Sequence, residues 1–313
     1  MATVAATQEH ASLARALTTR ERIDIPRRVT LLAAVLVVVI VGLLLVFIGS
    51  RGITLFVVSG VSPLEIFSST WVPNPDNPPN TFGLLDFILG SAGLMVVAAI
   101  IAAPLSIGLA VFMSEIAPAW ARNITRPAME VFVGIPSVVY GFLGASVLVP
   151  FLQHNLRGLG FTLGKSWFAG SLVLSLMILP TITSIAYDAL ITVPRDLRTG
   201  SLALGTTRWQ MIRHILLPAA RAGLLTAIIL GMMRAAGEAL AVQMVIGNRV
   251  TLPTDITKPI TSLTAGIVLD MGNTTFNQPW NQALWTMGLI LLLMSFTFVT
   301  LARRIGKRVS AIQ

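Results

Sequence analysis

Six long apolar stretches, separated by polar and proline-rich segments, set the pattern of this chain. Each stretch has about the 20 residues that an α-helix needs to cross the hydrocarbon core of a bilayer. The pattern therefore predicts six membrane-spanning helices. Their predicted bounds are residues 29–49, 87–113, 131–152, 168–191, 223–247 and 283–301.

The segments around these stretches predict the organisation of the chain. We expect a cytoplasmic N-terminal arm, the first span, an external loop, a five-span core and a basic cytoplasmic tail. These parts cover residues 1–28, 29–49, 50–86, 87–302 and 303–313. The proline-rich centre of the external loop, residues 73–80, cannot continue a helix.

The composition agrees with a multi-pass membrane protein. Of the 313 residues, 55% are hydrophobic and 11% are charged, whereas about a quarter of the residues in soluble domains are charged. The chain has no cysteine, which excludes disulfides and thiolate metal ligands. His10, His154 and His214 lie far apart, without the spacing of metal ligands, so we expect no metal site.

The basic residues predict the orientation of the helices. Sixteen of the 22 Lys and Arg residues lie on one side of the predicted membrane and five on the other, with Arg234 inside the fifth span. Cytoplasmic segments carry such an excess, so we expect both termini in the cytoplasm. The net charge of +9 then reflects topology, and we expect no nucleic-acid partner.

The predicted fifth span contains two charged residues, Arg234 and Glu238. Ionisable residues at bilayer depth are costly and usually face a bundle interior or a water-filled pathway. A spacing of four places both on one helical face, one turn apart, and the planar guanidinium suits a tetrahedral oxyanion. Gly231 and Gly237 leave backbone open for close approach of a neighbour or a ligand. The alternative is that the pair only joins two helices.

Prolines interrupt the third and fourth spans. Pro136 and Pro180 each remove a helical hydrogen bond, so nearby polar side chains are expected to face inward, where freed backbone groups need partners. The alternative is a purely structural kink. Together with Arg234 and Glu238, the predicted substrate pathway comprises Ser137, Tyr140, Thr181 and Thr183.

A loop on the predicted external side contains Gly-Lys-Ser at 164–166. A phosphate-binding P-loop needs four residues between its first glycine and this triplet. Gly158 leaves five and Gly160 leaves three, so the segment predicts an ordinary loop and not an ATP site.

The cytoplasmic loop at residues 192–221, called the coupling loop below, has the pattern of two short amphipathic helices. Pro194 suits the start of the first helix, Gly205 breaks the run, and the second helix is expected to end before Pro218. Such a protruding, partly apolar element predicts a docking site for another protein. The alternative is one amphipathic helix lying passively on lipid.

The coupling loop also resembles a family motif. Gly205, followed after nine residues by Ile-Leu-Leu-Pro at 215–218, is similar to the signature loop of ABC-importer permeases. With the segments 134–141 and 234–248, the chain from about Phe82 onward resembles the PstC-type permeases of bacterial phosphate importers.

One departure from the family pattern concerns the start of the motif. Thr199, Gly200 and Ser201 stand where the family has Glu-Ala-Ala, so its acidic contact with an ATPase is not carried over. Docking would then depend on shape and on Arg208, Trp209 and neighbouring residues up to Pro218.

The resemblance implies an all-α polytopic protein with the type I ABC importer permease (MetI-like) fold, in the bacterial cytoplasmic membrane. It implies that a second permease completes the pathway and that a periplasmic or lipid-anchored binding protein delivers phosphate. Two separate ATPase subunits would bind ATP and Mg, so this chain would be no enzyme and would hold no cofactor. Our own hypothesis for the site is that Arg234 contacts the phosphate, while Glu238 orients it and accepts a proton-bearing phosphate oxygen, which sulfate lacks.

Other functions stay open at this point. The chain could serve an ABC importer of another oxyanion or solute, or be the sister phosphate permease. An ion-coupled secondary transporter is a further alternative, although residues 29–152 and 168–301 show no convincing inverted repeat. A membrane-anchored scaffold without transport would not need Arg234 and Glu238 within a span.

Overall fold

In the computed structural model, helices carry almost the whole described chain. The structure describes the backbone of residues 2–73 and 80–310, and the side chains of 28–73, 80–300, 303 and 304. The α-helices α1 to α12 are Ala2–Val57, Leu85–Val111, Ala119–Gly134, Ser137–Leu143, Val149–Asn155, Trp167–Ile191, Arg195–Ala203, Arg208–Met211, Leu217–Ala236, Leu240–Val245, Leu263–Asp270 and Pro279–Ser310.

Six helical stretches are long and apolar enough to cross a membrane, which confirms the predicted number of spans. They are Arg28–Val57, Leu85–Ile116, Ser137–Asn155, Trp167–Ile191, Arg208–Ala236 and Pro279–Thr300. The largest difference from prediction concerns the fifth stretch, which begins and ends earlier than residues 223–247. The third starts after the break at Pro136, and α3 fills most of the segment that the predicted bounds leave between the second and third spans.

The chain divides into two compact units. The first, Met1–Arg51, consists of most of α1, and the second, Gly52–Gln313, holds all other elements. In the first unit, the apolar side chains between Val29 and Phe47 are exposed. Such a surface suits a lipid environment.

Three π-helical turns lie just before prolines. They are Phe112–Ile116, Gly144–Leu148 and Ile212–Leu216, and a proline follows each of them two residues later, at 118, 150 and 218. A proline lacks an N–H, and its ring clashes with the carbonyl four residues earlier. At the second and third turns the helix continues past the proline, because the π turn shifts the hydrogen bond to the carbonyl five residues back, as between the Val149 N–H and the Gly144 carbonyl. The first turn ends its helix, since Ala117 is extended.

The core of the second unit forms where α2, α6 and α9 pack together. Small residues allow this close approach. Gly93 of α2 lies against the ring of Trp167, and Gly231 of α9 lies against Ile182 of α6. Gly231 is therefore a packing position.

A small cap of structure precedes α2 on the predicted external side. Strands β1 (Trp71–Val72) and β2 (Thr81–Phe82) pair antiparallel, with Trp71 opposite Phe82. The Phe82 N–H donates to a carboxylate oxygen of Glu65 at 2.8 Å. The predicted proline-rich centre of this loop lies, for residues 74–79, outside the described residues, as do the last three residues of the predicted tail.

The loop after α10 closes over the start of α6. The Trp167 N–H donates to the Lys258 carbonyl and the Phe168 N–H to the Ile256 carbonyl, both at 2.9 Å. These bonds satisfy donors that a helix N-terminus leaves without partners. Gly247, with a φ of 86°, turns the chain into this loop.

Candidate functional site

The helix of the fifth span ends at Ala236, and this end changes the geometry of the two charged residues. Arg234 lies in the last turn of α9, while Glu238 lies in the short break before α10. The expected arrangement on one helical face, one turn apart, is therefore wrong. The reason is local, because Gly237 ends the helix and Ala239, with φ −114° and ψ −56°, starts the chain in a new direction.

Hydrogen bonds hold the break between α9 and α10. A carboxylate oxygen of Glu238 accepts the Ala241 N–H at 3.2 Å and so caps α10. The Thr264 hydroxyl of α11 donates to the Glu238 carbonyl at 3.0 Å. Broken helices occur within membrane proteins where neighbours satisfy the freed backbone groups. Glu238 thus has a structural role that the sequence analysis did not foresee.

Arg234 remains available for a ligand. Its side chain is exposed and makes neither an ion pair nor a hydrogen bond with the described part of the chain. Gly237 beside it has no neighbouring side chain within contact distance. The guanidinium therefore keeps its five N–H donors for another group.

Tyr140 lies within electrostatic range of Arg234. The packing of α4 on α10 brings them together, because Gly141 lies directly against Ala241 and the sulfur of Met244. Arg234 and Glu238 thus flank the break at the end of α9, and Tyr140 lies on α4, which packs against α10 beyond the break.

The third span breaks at Pro136, as predicted. Ser137 is the first residue of α4, and the Tyr140 hydroxyl donates to the Phe132 carbonyl of α3 at 2.9 Å. The hydroxyl thus satisfies a backbone group that the break leaves free. Ser137 is half-buried, and its role in the pathway stays a prediction.

The two threonines of the fourth span lie on α6, beside the predicted kink. The Thr183 hydroxyl donates to the Leu179 carbonyl at 2.8 Å, and Ser106 of α2 donates to the same carbonyl at 3.1 Å. Thr183 also lines a cavity of about 300 Å³ between α3 and α6. The Thr181 hydroxyl is buried and makes no hydrogen bond among the described residues.

The coupling loop folds into α7, a tight turn and α8. Gly205, with a φ of 82°, forms the turn, a conformation that favours glycine. The Ser201 and Thr206 hydroxyls hydrogen-bond each other at 2.7 Å across this turn. Thr199 bonds the Arg195 carbonyl of its own helix, and Gly200 has open space around it.

The start of α8 has a capping box that the sequence analysis missed. The Thr207 hydroxyl accepts the Gln210 N–H at 3.2 Å, and the Thr207 N–H donates to the Gln210 side chain at 2.8 Å. The spacing Thr-x-x-Gln before an apolar run is the signal that could have revealed it. Beside it, Leu204 and Trp209 are 87% and 63% exposed, so the loop carries an exposed apolar surface, and Arg208 is also exposed.

The second helix of the coupling loop was expected to end before Pro218, and this prediction is wrong. The π turn Ile212–Leu216 lets it continue into α9, with Pro218 in the first turn of that segment. The coupling loop is therefore joined to Arg234 by one helical run from Arg208 to Ala236.

A buried ion pair escaped the sequence analysis altogether. The Arg198 Nη2 atom of α7 lies 3.4 Å from the Glu115 Oε1 atom, and the two side chains are 18% and 10% exposed. The same Nη2 atom donates to the Leu190 carbonyl at 2.6 Å. No sequence signal links these residues, because they belong to distant elements.

Comparison with known proteins gives the family. Residues 106–311 match the family described as binding-protein-dependent transport system inner membrane component. The chain is 51% identical over 265 residues to the probable ABC transporter permease protein YqgH of Bacillus subtilis, covering 84% of both chains. It is 35% identical over 260 residues to the phosphate transport system permease protein PstC of Xylella fastidiosa, covering 78% of both.

A solved structure agrees with the fold. A chain of the bacterial alginate ABC transporter, crystallised with an alginate-bound periplasmic protein, aligns with a TM-score of 0.61 at 16% identity. The alignment covers 91% of this chain and 96% of that one. The MetI-like fold of ABC importer permeases, expected from the sequence, is thereby confirmed.

Proposed function

Since this chain belongs to the family of binding-protein-dependent transport system inner membrane components, we propose that it is a permease subunit of an ATP-driven importer of inorganic phosphate. The similarity to a permease named PstC supports phosphate as the solute, and supports the PstC-type subunit over its sister. The observation that carries the proposal is Arg234, an exposed guanidinium at a helix break that makes no ion pair or hydrogen bond with the described residues.

The chain would form half of a pathway that a second permease completes. Two ATPase subunits would bind ATP and Mg and engage the coupling loop, so this chain needs no cofactor of its own. The exposed Leu204 and Trp209 support such docking. A periplasmic or lipid-anchored protein would deliver phosphate from outside, and both termini would lie in the cytoplasm.

Arg234 is the proposed phosphate contact. Its planar fork of donors can bind two oxygens of a tetrahedral oxyanion at once. Because the second permease would cover this face, the contact would form in a site with less water, where charge-assisted hydrogen bonds are stronger. Tyr140 completes the site beside it.

Glu238 is the proposed discriminator between phosphate and sulfate. One of its oxygens caps α10, and the carboxylate retains lone pairs for a second partner. At neutral pH, phosphate carries a proton that it can donate to this carboxylate, and sulfate does not. An acceptor left without a donor disfavours sulfate.

The proposal can be tested by purifying the chain with its partners in mild detergent and reconstituting the complex in vesicles. We expect an ATPase, a second permease and a phosphate-binding protein to copurify. Phosphate uptake should require ATP and should be inhibited by excess unlabelled phosphate, but not by sulfate or molybdate. Uptake that survives ATP depletion and stops with an uncoupler would contradict the proposal and favour a secondary transporter.

Glu238→Gln tests the discrimination. The glutamine keeps an oxygen that can cap α10, so the break should be preserved while the carboxylate is lost. We expect sulfate to become a competitor of phosphate uptake. Thr264→Val is the matched control, because it removes the bond to the Glu238 carbonyl and leaves the carboxylate in place. Continued exclusion of sulfate by Glu238→Gln would remove Glu238 from the recognition site.

A permease for another oxyanion or solute is the second candidate. The relative at 51% identity carries no solute in its name, being described only as a probable ABC transporter permease. Inhibition of uptake by sulfate, molybdate or an organic solute, in preference to phosphate, would favour this candidate.

A further inference from the structure

The coupling loop is tied to the membrane helices by a single polar side chain of α7. Among the described residues of α7, Arg198 is the side chain that hydrogen-bonds beyond the coupling loop. It reaches Glu115, in the π turn that ends α2, and the carbonyl of Leu190, in the last turn of α6. One guanidinium thus joins three helices.

The two helices that it reaches are packed tightly on each other. Gly93 of α2 lies against Trp167 of α6, and the Ser106 hydroxyl of α2 donates to the Leu179 carbonyl of α6 at 3.1 Å. A displacement of α7 that pulls on Arg198 therefore acts on both helices as one body. Both helices belong to the core that also holds α9, at whose end Arg234 lies.

The ion pair is also incomplete in this arrangement. The Nε atom of Arg198 and the Oε1 atom of Glu115 are buried and without a hydrogen-bond partner among the described residues. Buried polar atoms without partners are costly. A two-pronged contact, in which Nε and Nη2 both donate to the carboxylate, would give these atoms partners and would differ in energy from the observed arrangement.

We propose that the Arg198–Glu115 pair transmits movement of the coupling loop to the membrane helices. This inference rests on the proposed importer function. Arg198 and Glu115 are positioning residues, since neither lies at the phosphate site. In the family pattern an acidic residue stands at position 199, where this chain has Thr199. In this chain α7 lacks that acidic residue, and its Arg198 pairs with Glu115 of the same chain.

The test uses the reconstituted complex with Arg198→Gln, Glu115→Gln and the double variant. Two quantities are measured for each assembled complex: the stimulation of ATP hydrolysis by the loaded binding protein, and the phosphate taken up for each ATP hydrolysed. We expect each single variant to lower both by about tenfold, a typical size for coupling between sites. The double variant should be no worse than the worse single variant, because both changes break one contact.

Arg198→Lys separates the link from simple folding. It keeps the charge but cannot form the two-pronged contact, so we expect normal amounts of complex with an intermediate loss of coupling. The matched controls are Arg126→Gln and Glu130→Gln, which remove an exposed ion pair of 3.9 Å with side chains 70% and 74% exposed. Both controls should show the same stimulation of ATP hydrolysis, and the same phosphate uptake for each ATP, as the unchanged chain.

Two results would overturn the proposal. One is an unchanged ratio of uptake to hydrolysis in both single variants, and the other is independent, multiplying losses in the double variant. Failure of the proposed solute has a different signature, because the unchanged chain would then take up no phosphate. Stimulation of ATP hydrolysis would still test the link in that case, with the binding protein loaded with its own solute.

Discussion

At the end of α9, Arg234 is exposed and forms no ion pair within the part of the chain that the structure describes, and Glu238, four residues later, caps the next helix. At the coupling loop, Arg198 contacts Glu115 from another helix, and both side chains are largely buried. The two regions contain the same two residue types in opposite states. In one the guanidinium is used within the chain, and in the other it is left for a different partner.

The difference teaches how burial assigns roles to charges. A charge removed from water needs a partner, because desolvation costs several kcal/mol (~5) for each ion. Arg198 meets that requirement with Glu115 and the Leu190 carbonyl. The Arg234 side chain is exposed, so its charge needs no partner within the chain. It is therefore free to bind and release an anion. A transport site must release its solute as well as bind it.

The largest effect is expected from Arg234→Ala, which tests whether the exposed guanidinium binds the solute. We expect phosphate uptake to fall by at least about 30-fold, because the loss of one partner of a desolvated charge pair costs about 2–5 kcal/mol. The amount of folded, assembled complex should not change, since Arg234 makes no bond with the described chain. Radiolabelled phosphate uptake, normalised to assembled complex, measures the effect. Uptake at the unchanged rate would show that Arg234 is not the phosphate contact.

Arg198→Gln should lower the free energy of unfolding, whereas Arg234→Ala should leave it unchanged. Breaking a buried ion pair by removing one partner costs about 3–5 kcal/mol. We expect about 2 kcal/mol here, because the Arg198 and Glu115 side chains retain 18% and 10% exposure. Thermal unfolding of the detergent-solubilised complex measures the loss. Arg126→Gln, in the exposed pair, should change it by less than about 0.5 kcal/mol, and an equal effect of the two variants would contradict the distinction.

Gly141→Ala tests the packing that brings Tyr140 beside Arg234. The added methyl group would lie 2.8 Å from the Ala241 Cα atom, which is backbone and cannot move aside easily. Overpacking of this kind costs about 1–3 kcal/mol, so we expect lower thermal stability and reduced uptake. Gly108→Ala is the control, because nothing lies within 4 Å of its added methyl group. Equal stability of the two variants would show that α4 and α10 can move apart enough to hold the added methyl group without loss of stability.

The smallest effect is expected at Asp255, a loop acid whose carboxylate accepts two hydrogen bonds from Thr257. The backbone N–H and hydroxyl of Thr257 donate to its carboxylate at 2.9 and 2.8 Å, and they hold the pKa of Asp255 below its usual value of 3.8. Such a group stabilises the folded loop above its usual pKa, and this stabilisation is lost as the pH falls through the lowered pKa.

We therefore expect no change in protease resistance of the loop between pH 7 and pH 5, and a loss below about pH 4. Asp255→Asn should flatten this acid-dependent step. A step of the same size in Asp255→Asn would assign the loss to other carboxylates.

Several features of the fold could be read from the chain because they depend on local properties. The fourth span was predicted at residues 168–191 and is found at Trp167–Ile191. The break at Pro136 and the turn at Gly205 were also predicted and are present. The end of the fifth helix was not, since apolar character continues from Gly223 to Gly247 without marking the point where α9 stops.

Sequence by itself determined the number of membrane helices, the turn at Gly205 in the coupling loop and the presence of two charged residues at the end of the fifth helix. These follow from hydrophobic length, turn residues and composition, which act over a few neighbouring residues. Tertiary structure alone decided that Thr264 bonds the Glu238 carbonyl and that Arg198 meets Glu115. Those outcomes depend on how α2, α6, α7 and α11 pack, and packing joins residues whose distance along the chain carries no signal of contact.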